Sequence, residues 1–305
     1  MEVKLKSQQP IDIILPTHGN LKLTMECVDA LYANTQTPFH LVVVDDSTPD
    51  MDEGVDLTPS WFCRFKATHP NLTFIHSNTP YKSGNQFLNV ALAHCQNPFV
   101  ATVGNSIHVE PDWELMALHV LKKDPKVGIV GIKCLYSDGS IESVGITFRG
   151  HIPLDIGRGL PGYRLSWGHE TLAVQWACAI LRKEAIGTLD ENLYNGFVGW
   201  DDIDNCLMLR KNGWKVMATG QGVVFHNPRA TRGSNTEEVT MKNHQNAEVF
   251  YKRWGFWKGY RQANGKEPEY FKHMKAEEMP EFVQRFVQPL PNRGSLSAQR
   301  KAQRG

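Results

Sequence analysis

The sequence predicts an α/β fold: a mostly parallel sheet flanked by helices, with a small antiparallel insertion and a C-terminal helical extension. Three observations carry this. Residues 11–15, apart from Asp12, and 41–44 after His40 are apolar runs, and the segment between them, 23–32, places apolar residues at helical spacing. That strand–helix–strand order is a βαβ unit, whose strands are parallel and whose crossover is right-handed. Over 134–172 the pattern changes to short runs broken by Gly and Pro turns, which reads as an antiparallel or irregular insertion.

Taken in order, the first strand is stopped by Pro16 and enters the loop Thr17-His18-Gly19-Asn20. The second, β-branched and covered on both faces, ends in Asp45-Asp46-Ser47-Thr48. Ligands of parallel sheets bind beyond the carboxyl ends of the strands, so both loops fall on one functional edge. A third strand (72–76) leads into a Gly/Pro loop bearing Lys82 and Gly84, then a helical pattern over 87–94. After a fourth strand (99–103) come Gly104-Asn105-Ser106-Ile107-His108. Pro111 suits the opening of a helix over 114–122. Residues 127–133 and 174–181 read as further strands, the latter central. A helix over 238–257 carries the anchors Phe250, Tyr251, Trp254, Phe256 and Trp257, set against its own domain or a partner chain. The expected division is a main domain over 10–235, a helical extension over 236–288 and a basic, frayed tail over 289–305.

A formal net charge of +1 provides no global field for nucleic acid or anionic membrane. No apolar run approaches the ~20 residues of a bilayer span, and the first residues lack a signal-peptide pattern. The six cysteines are scattered without a Cys-x-x-Cys pair, the pattern of buried free thiols in a reducing compartment. The expectation is a cytoplasmic enzyme.

The densest chemistry lies in Asn195-Gly196-Phe197-Val198-Gly199-Trp200-Asp201-Asp202-Ile203-Asp204, where three carboxylates open an amphipathic run. Helix N-termini favour negative charge, so Asp201 reads either as a cap or as an active group. The distant pair Asp45-Asp46 and the segment Val223-Val224-Phe225-His226 favour one shared cleft. His226 reads either as a core histidine or as a group facing that cleft.

The order of these signals resembles the family-two glycosyltransferases, which share the GT-A (Rossmann-like) fold. The resemblance covers roughly residues 10–256. It rests on Pro16-Thr17 after a strand, Val42-Val43-Val44-Asp45-Asp46-Ser47-Thr48, and Val109-Glu110-Pro111-Asp112-Trp113. Further along it rests on Asp138-Gly139-Ser140-Ile141 through Gly145, Asp201-Asp202-Ile203-Asp204, Val224-Phe225-His226, and Lys252-Arg253-Trp254-Gly255. Within the family the likeness is nearest to enzymes of bacterial surface polysaccharides.

The resemblance implies an inverting transferase that moves a sugar from a UDP- or dTDP-type donor to a hydroxyl acceptor. Asp45 or Asp46 would hold base and ribose, with Pro16, Thr17, Gly19 and Gly84 lining the same pocket. Asp201 would be the general base, with Asp202 as its runner-up. Asp204 is expected to pair with a cation or cap. Trp200 is either a platform for the acceptor sugar or a core residue. His226 would reach the diphosphate or its metal, and the loop bearing Arg229 and Arg232 would close over the phosphates.

One departure changes the chemistry. Where the family carries the metal-binding Asp-x-Asp, this chain has Gly104-Asn105-Ser106. Mn²⁺ and Mg²⁺ prefer anionic oxygen ligands. Three readings stand: a metal held by His226 and the diphosphate with help from Asn105 or His108, cations (Lys82, Arg229, Arg232) in place of the metal, or binding without turnover. A hydroxylated DNA base is an alternative acceptor, gripped by the basic tail Arg285, Arg293, Arg300, Lys301 and Arg304. A non-catalytic protein that binds sugar nucleotides or glycans is the other alternative.

Overall fold

The computed structural model describes residues 9–46, 55–149, 152–196, 199–227, 237–254 and 279–288. Its first half is β1 (Ile11–Thr17), α1 (Leu21–Asn34), β2 (Phe39–Asp45), α2 (Thr58–Lys66), β3 (Leu72–His76), α3 (Gly84–Leu92) and β4 (Phe99–Val103). β1 pairs in parallel with both β2 and β4, and β2 with β3. β1, β2 and β4 are covered on both faces, which is why they read as mostly apolar runs. Val28 and Leu31 of α1 join the core on one face of the sheet, and Phe87 and Ala91 of α3 form a separate cluster with Ile14, Val42 and Val44. Asn20 caps α1 from a left-handed backbone, and Ser83 caps α3 by accepting from the Gln86 amide.

The second half continues with β5 (Ile107–Val109), α4 (Leu115–Lys123), β6 (Val127–Leu135), β7 (Ile141–Ser143), β8 (Ile146–Arg149), β9 (Ile152–Asp155) and β10 (His169–Glu170). Then come β11 (Cys178–Arg182), α5 (Lys183–Ile186), α6 (Asp201–Lys211), β12 (Lys215–His226), α7 (Glu237–Arg253), α8 (Glu281–Gln284) and β13 (Val287–Gln288). The main sheet runs β10-β12-β6-β11-β4-β1-β2-β3, with β11 antiparallel to both neighbours and β12 parallel to β6. The predicted α/β class with a mostly parallel sheet holds.

Three differences from the sequence reading matter. The sequence assigned no element between the second and third strands, yet α2 lies there, with Pro59 in its first turn and Phe62 buried. The small sheet is the antiparallel hairpin β8–β9 as expected, but β13 joins it in parallel from the C-terminal side. The run 174–181 is strand only from Cys178 onward, and the bond from the Gly104 amide to the Ala177 carbonyl at 2.8 Å is its last rung against β4.

β12 breaks register against β6 between Thr219 and Val223. A Cβ on Gly220 would lie 1.8 Å from the Leu165 carbonyl oxygen, and one on Gly222 2.2 Å from that of Trp113. Glycine is required at both positions, and the bulge re-aims the strand. Its far end then pairs antiparallel with β5, setting His226 opposite Ile107. On the other side of the sheet α7 buries Phe250, Tyr251 and Trp254 at its end; Phe256 and Trp257 lie outside the described residues. Cys27, Cys95, Cys134, Cys178 and Cys206 are buried free thiols, and Cys63 is an exposed one. Among the described residues no helix is long and apolar enough to cross a membrane.

Candidate active site

The carboxyl ends of β1 and β4 open on a cleft of about 680 Å³. Pro16, Thr17 and Gly104-Asn105-Ser106 line it from the strand ends, and Gly84 from the start of α3. Across from them stand Asp201, Asp202 and His226. Pro16 and His226 are 210 positions apart in sequence, and the sheet order together with the pairing of β5 and β12 brings them to one cavity.

Gly199 (φ 92°) and Trp200 (φ 79°) turn the chain sharply into α6. A left-handed backbone costs a non-glycine residue on the order of 1–3 kcal/mol, and Trp200 is held there by its surroundings. Its indole N–H donates to Asn243 Oδ1 at 2.8 Å, and its ring centroid lies 5.2 Å from that of Phe250 and 5.4 Å from that of Tyr251. Trp200 therefore packs on α7, and the cleft lining passes from Gly199 to Asp201. Asp202 Oδ1 accepts from the Ile203 amide at 2.8 Å. Asp204 is buried beneath, accepting from Trp254 Nε1 at 2.6 Å and paired with Arg253 Nε at 3.2 Å. Burial pushes its carboxyl upward and Arg253 pulls it back. It has the cation partner expected of it.

The other acidic pair is arranged differently. Asp45 and Asp46 are buried and do not line the cleft. Asp45 accepts from Thr17 Oγ1 at 2.8 Å and pairs with His76 Nδ1 at 2.7 Å, while Asp46 pairs with His18 Nδ1 at 2.6 Å. Burial pushes the Asp45 carboxyl up to about 6, against the pull of the Thr17 and His76 hydrogen bonds. Asp45, Asp56 and His76 offer ligand atoms within 4.8 Å of one another, close enough to share one metal ion.

Asn105 uses its side-chain nitrogen inside the protein, donating to Thr24 Oγ1 at 3.1 Å and the Gly19 carbonyl at 3.4 Å. It pins the β1 loop. His108 and Lys82 are exposed, and Arg229 and Arg232 lie outside the described residues. The residue that sequence reasoning missed is Glu142 on β7. Its Oε2 meets His226 Nδ1 at 2.7 Å, and it is buried in the cleft wall. The motif Asp138-Gly139-Ser140-Ile141 immediately before it was the available signal. For a divalent cation, Gly104-Asn105-Ser106 contributes no anionic oxygen, whereas Glu142 and His226 bring a carboxylate and an imidazole to the cleft wall.

No family model matches the sequence. A protein of Sinorhizobium fredii, y4gI, is 28% identical over 257 residues, covering 80% of this chain and 27% of that protein. The O-antigen biosynthesis protein RfbC of Myxococcus xanthus is 26% identical over 234 residues, covering 73% of this chain and 18% of that protein. The chain thus spans about a quarter or less of the curated relatives it matches. Among solved structures, GalNAc-T7 with UDP, GalNAc and Mn²⁺ aligns with a TM-score of 0.60 at 12% identity, over 81% of this chain and 49% of that one. The mannosyltransferase PcManGT of Pyrobaculum calidifontis, in complex with GDP-Man and Mn²⁺, gives 0.57 at 18% identity, over 82% and 65%. The fold is that of GT-A glycosyltransferases.

Proposed function

We propose that this chain is an inverting glycosyltransferase that moves a sugar from a nucleotide-diphosphate donor, UDP- or dTDP-type, to a hydroxyl acceptor. The observation that carries the reading is the presence of Asp201 and Asp202 in the same cleft as the ends of β1 and β4. Asp201 takes the proton of the acceptor hydroxyl as its oxygen attacks the anomeric carbon. The bond from that carbon to the diphosphate breaks, the diphosphate leaves with the electron pair, and the carbon inverts. Asp202 is the second candidate for the base.

Glu142 and His226 would hold a Mn²⁺ or Mg²⁺ ion, which supplies charge stabilisation to the leaving diphosphate. Glu142 fixes the His226 ring through Nδ1, as carboxylates do for metal-binding imidazoles. The alternative stabilisers are Lys82, Arg229 and Arg232. The O-antigen relative supports a glycan acceptor over a DNA base, and the free thiols support a cytoplasmic setting. Residues 10–235 would form the catalytic domain.

The test is donor hydrolysis and transfer across a panel of nucleotide-sugars, with Mn²⁺ and with EDTA. Turnover only with Mn²⁺ places a metal at Glu142 and His226, whereas turnover that survives EDTA assigns the diphosphate to cationic side chains. Nucleotide binding without turnover of any donor would overturn the transferase reading in favour of a binding protein.

A further inference from the structure

A second group of polar side chains enters the cleft apart from the carboxylates of α6. Asp155, at the end of β9, accepts from Arg158 Nη2 at 2.6 Å and from Gln175 Nε2 at 3.0 Å. A carboxylate needs donors, so the Gln175 amide presents its nitrogen to Asp155 and turns Oε1 the other way. That oxygen is buried with no hydrogen-bond partner among the described residues, and Gln175 lines the cleft. Thr102 on β4 repeats the pattern: it is 5% exposed, its hydroxyl is buried without a described partner, and it lines the same cleft. Buried polar atoms are nearly always satisfied in folded proteins, so two unanswered ones on one cavity wall point to a ligand that answers them.

Their position says which part of a ligand. The Ala177 carbonyl accepts from the Gly104 amide at 2.8 Å, tying this segment to the end of β4. Trp176 Nε1 donates to Cys206 Sγ at 3.4 Å, and Cys206 Sγ to the Val174 carbonyl at 3.8 Å, tying it to α6. Gln175 thus sits on a bridge between the strand end that would face the diphosphate and the helix that begins with Asp201-Asp202. With the transferase reading, on which this rests, that is the span of the transferred sugar.

We propose that Gln175 reads a hydroxyl of the transferred sugar. Its Oε1 accepts the hydroxyl hydrogen, Asp155 holds the amide in that orientation, and Arg158 offsets the charge of Asp155. Thr102 offers a second contact from β4. A site built to pair with a hydroxyl rejects a sugar that lacks it, because its own buried oxygen is then left unanswered.

The experiment is calorimetric binding to the full chain in Mn²⁺, without acceptor. The probes are UDP, dTDP and GDP, then UDP-glucose, UDP-galactose, UDP-N-acetylglucosamine, dTDP-glucose and GDP-mannose. Gln175→Ala is expected to leave free nucleotide affinity unchanged and to weaken the bound nucleotide-sugar about five- to tenfold. Asp155→Asn is expected to weaken the nucleotide-sugar by a smaller factor, since the amide is no longer pinned. A deoxy analogue of the bound sugar should cost the wild type the same factor and cost Gln175→Ala nothing more. Equal weakening of nucleotide and nucleotide-sugar, or no change in either, overturns the inference and leaves the transferase reading standing. Failure to bind any nucleotide or nucleotide-sugar overturns both.

Discussion

The chain contains two Asp-Asp pairs, and they live in opposite environments. Asp45-Asp46 ends a parallel strand and is buried under Thr17, His76 and His18. Asp201-Asp202 opens a helix and lines the cleft, half-buried. The same two letters therefore do different work. The first pair orders the loops around the end of β1, because its oxygens are engaged by side chains from β1 and β3. The second pair lines the wall of the cleft. Environment, not residue type, separates a scaffold carboxylate from a candidate base.

The largest effect that would test this contrast is on turnover. Asp201→Asn keeps the shape of the side chain and removes its basicity, so transfer should fall about 10²–10⁴-fold with little change in melting temperature. Asp202→Asn should lose less. If Asp202→Asn is the more damaging change, the base is Asp202. If neither alters turnover, the second pair serves only the first turn of α6 and the contrast fails.

The first pair predicts an effect on stability instead. Folded Asp45 holds its proton up to about 6, against 3.8 ordinarily. Between those values the folded chain binds more protons than the unfolded one, so stability falls as pH rises through the window and is level above it. The difference of about two units corresponds to at most about 3 kcal/mol. Asp45→Asn should flatten that part of the profile, read as melting temperature from pH 4 to 8 relative to wild type. Parallel curves for the two proteins would show that Asp45 titrates normally.

Much of this was legible in the sequence, for physical reasons. Strands covered on both faces must be continuously apolar, so β1, β2, β4 and β6 announced themselves, and the carboxylates of α6 stood out at a helix start. Gln175 did not, because Val174 and the apolar residues after Trp176 continue the pattern of a strand, although the strand itself begins only at Cys178. Glu142 could be picked out only as the residue after Asp138-Gly139-Ser140-Ile141, not as a partner of His226. Its partner His226 is 84 residues away, and nothing in local spacing records a pairing made by the sheet. The burial of Asp45 and Asp46 was hidden likewise, since it depends on imidazoles delivered from the β1 loop and β3.

The smallest effect concerns Trp200, which adjoins the second pair without facing the cleft. Trp200→Phe keeps an aromatic ring against Phe250 and Tyr251 but removes the hydrogen bond to Asn243. The expected loss is about 0.5–1.5 kcal/mol of stability, measured by denaturant unfolding, with the acceptor KM unchanged. Trp200→Leu should cost more stability, because ring packing goes as well, again without a selective rise in acceptor KM. A sugar platform would behave otherwise: Trp200→Phe would be tolerated and Trp200→Leu would raise the acceptor KM at unchanged stability. The two substitutions together therefore decide whether the strained residue beside Asp201 serves the helix start or the substrate.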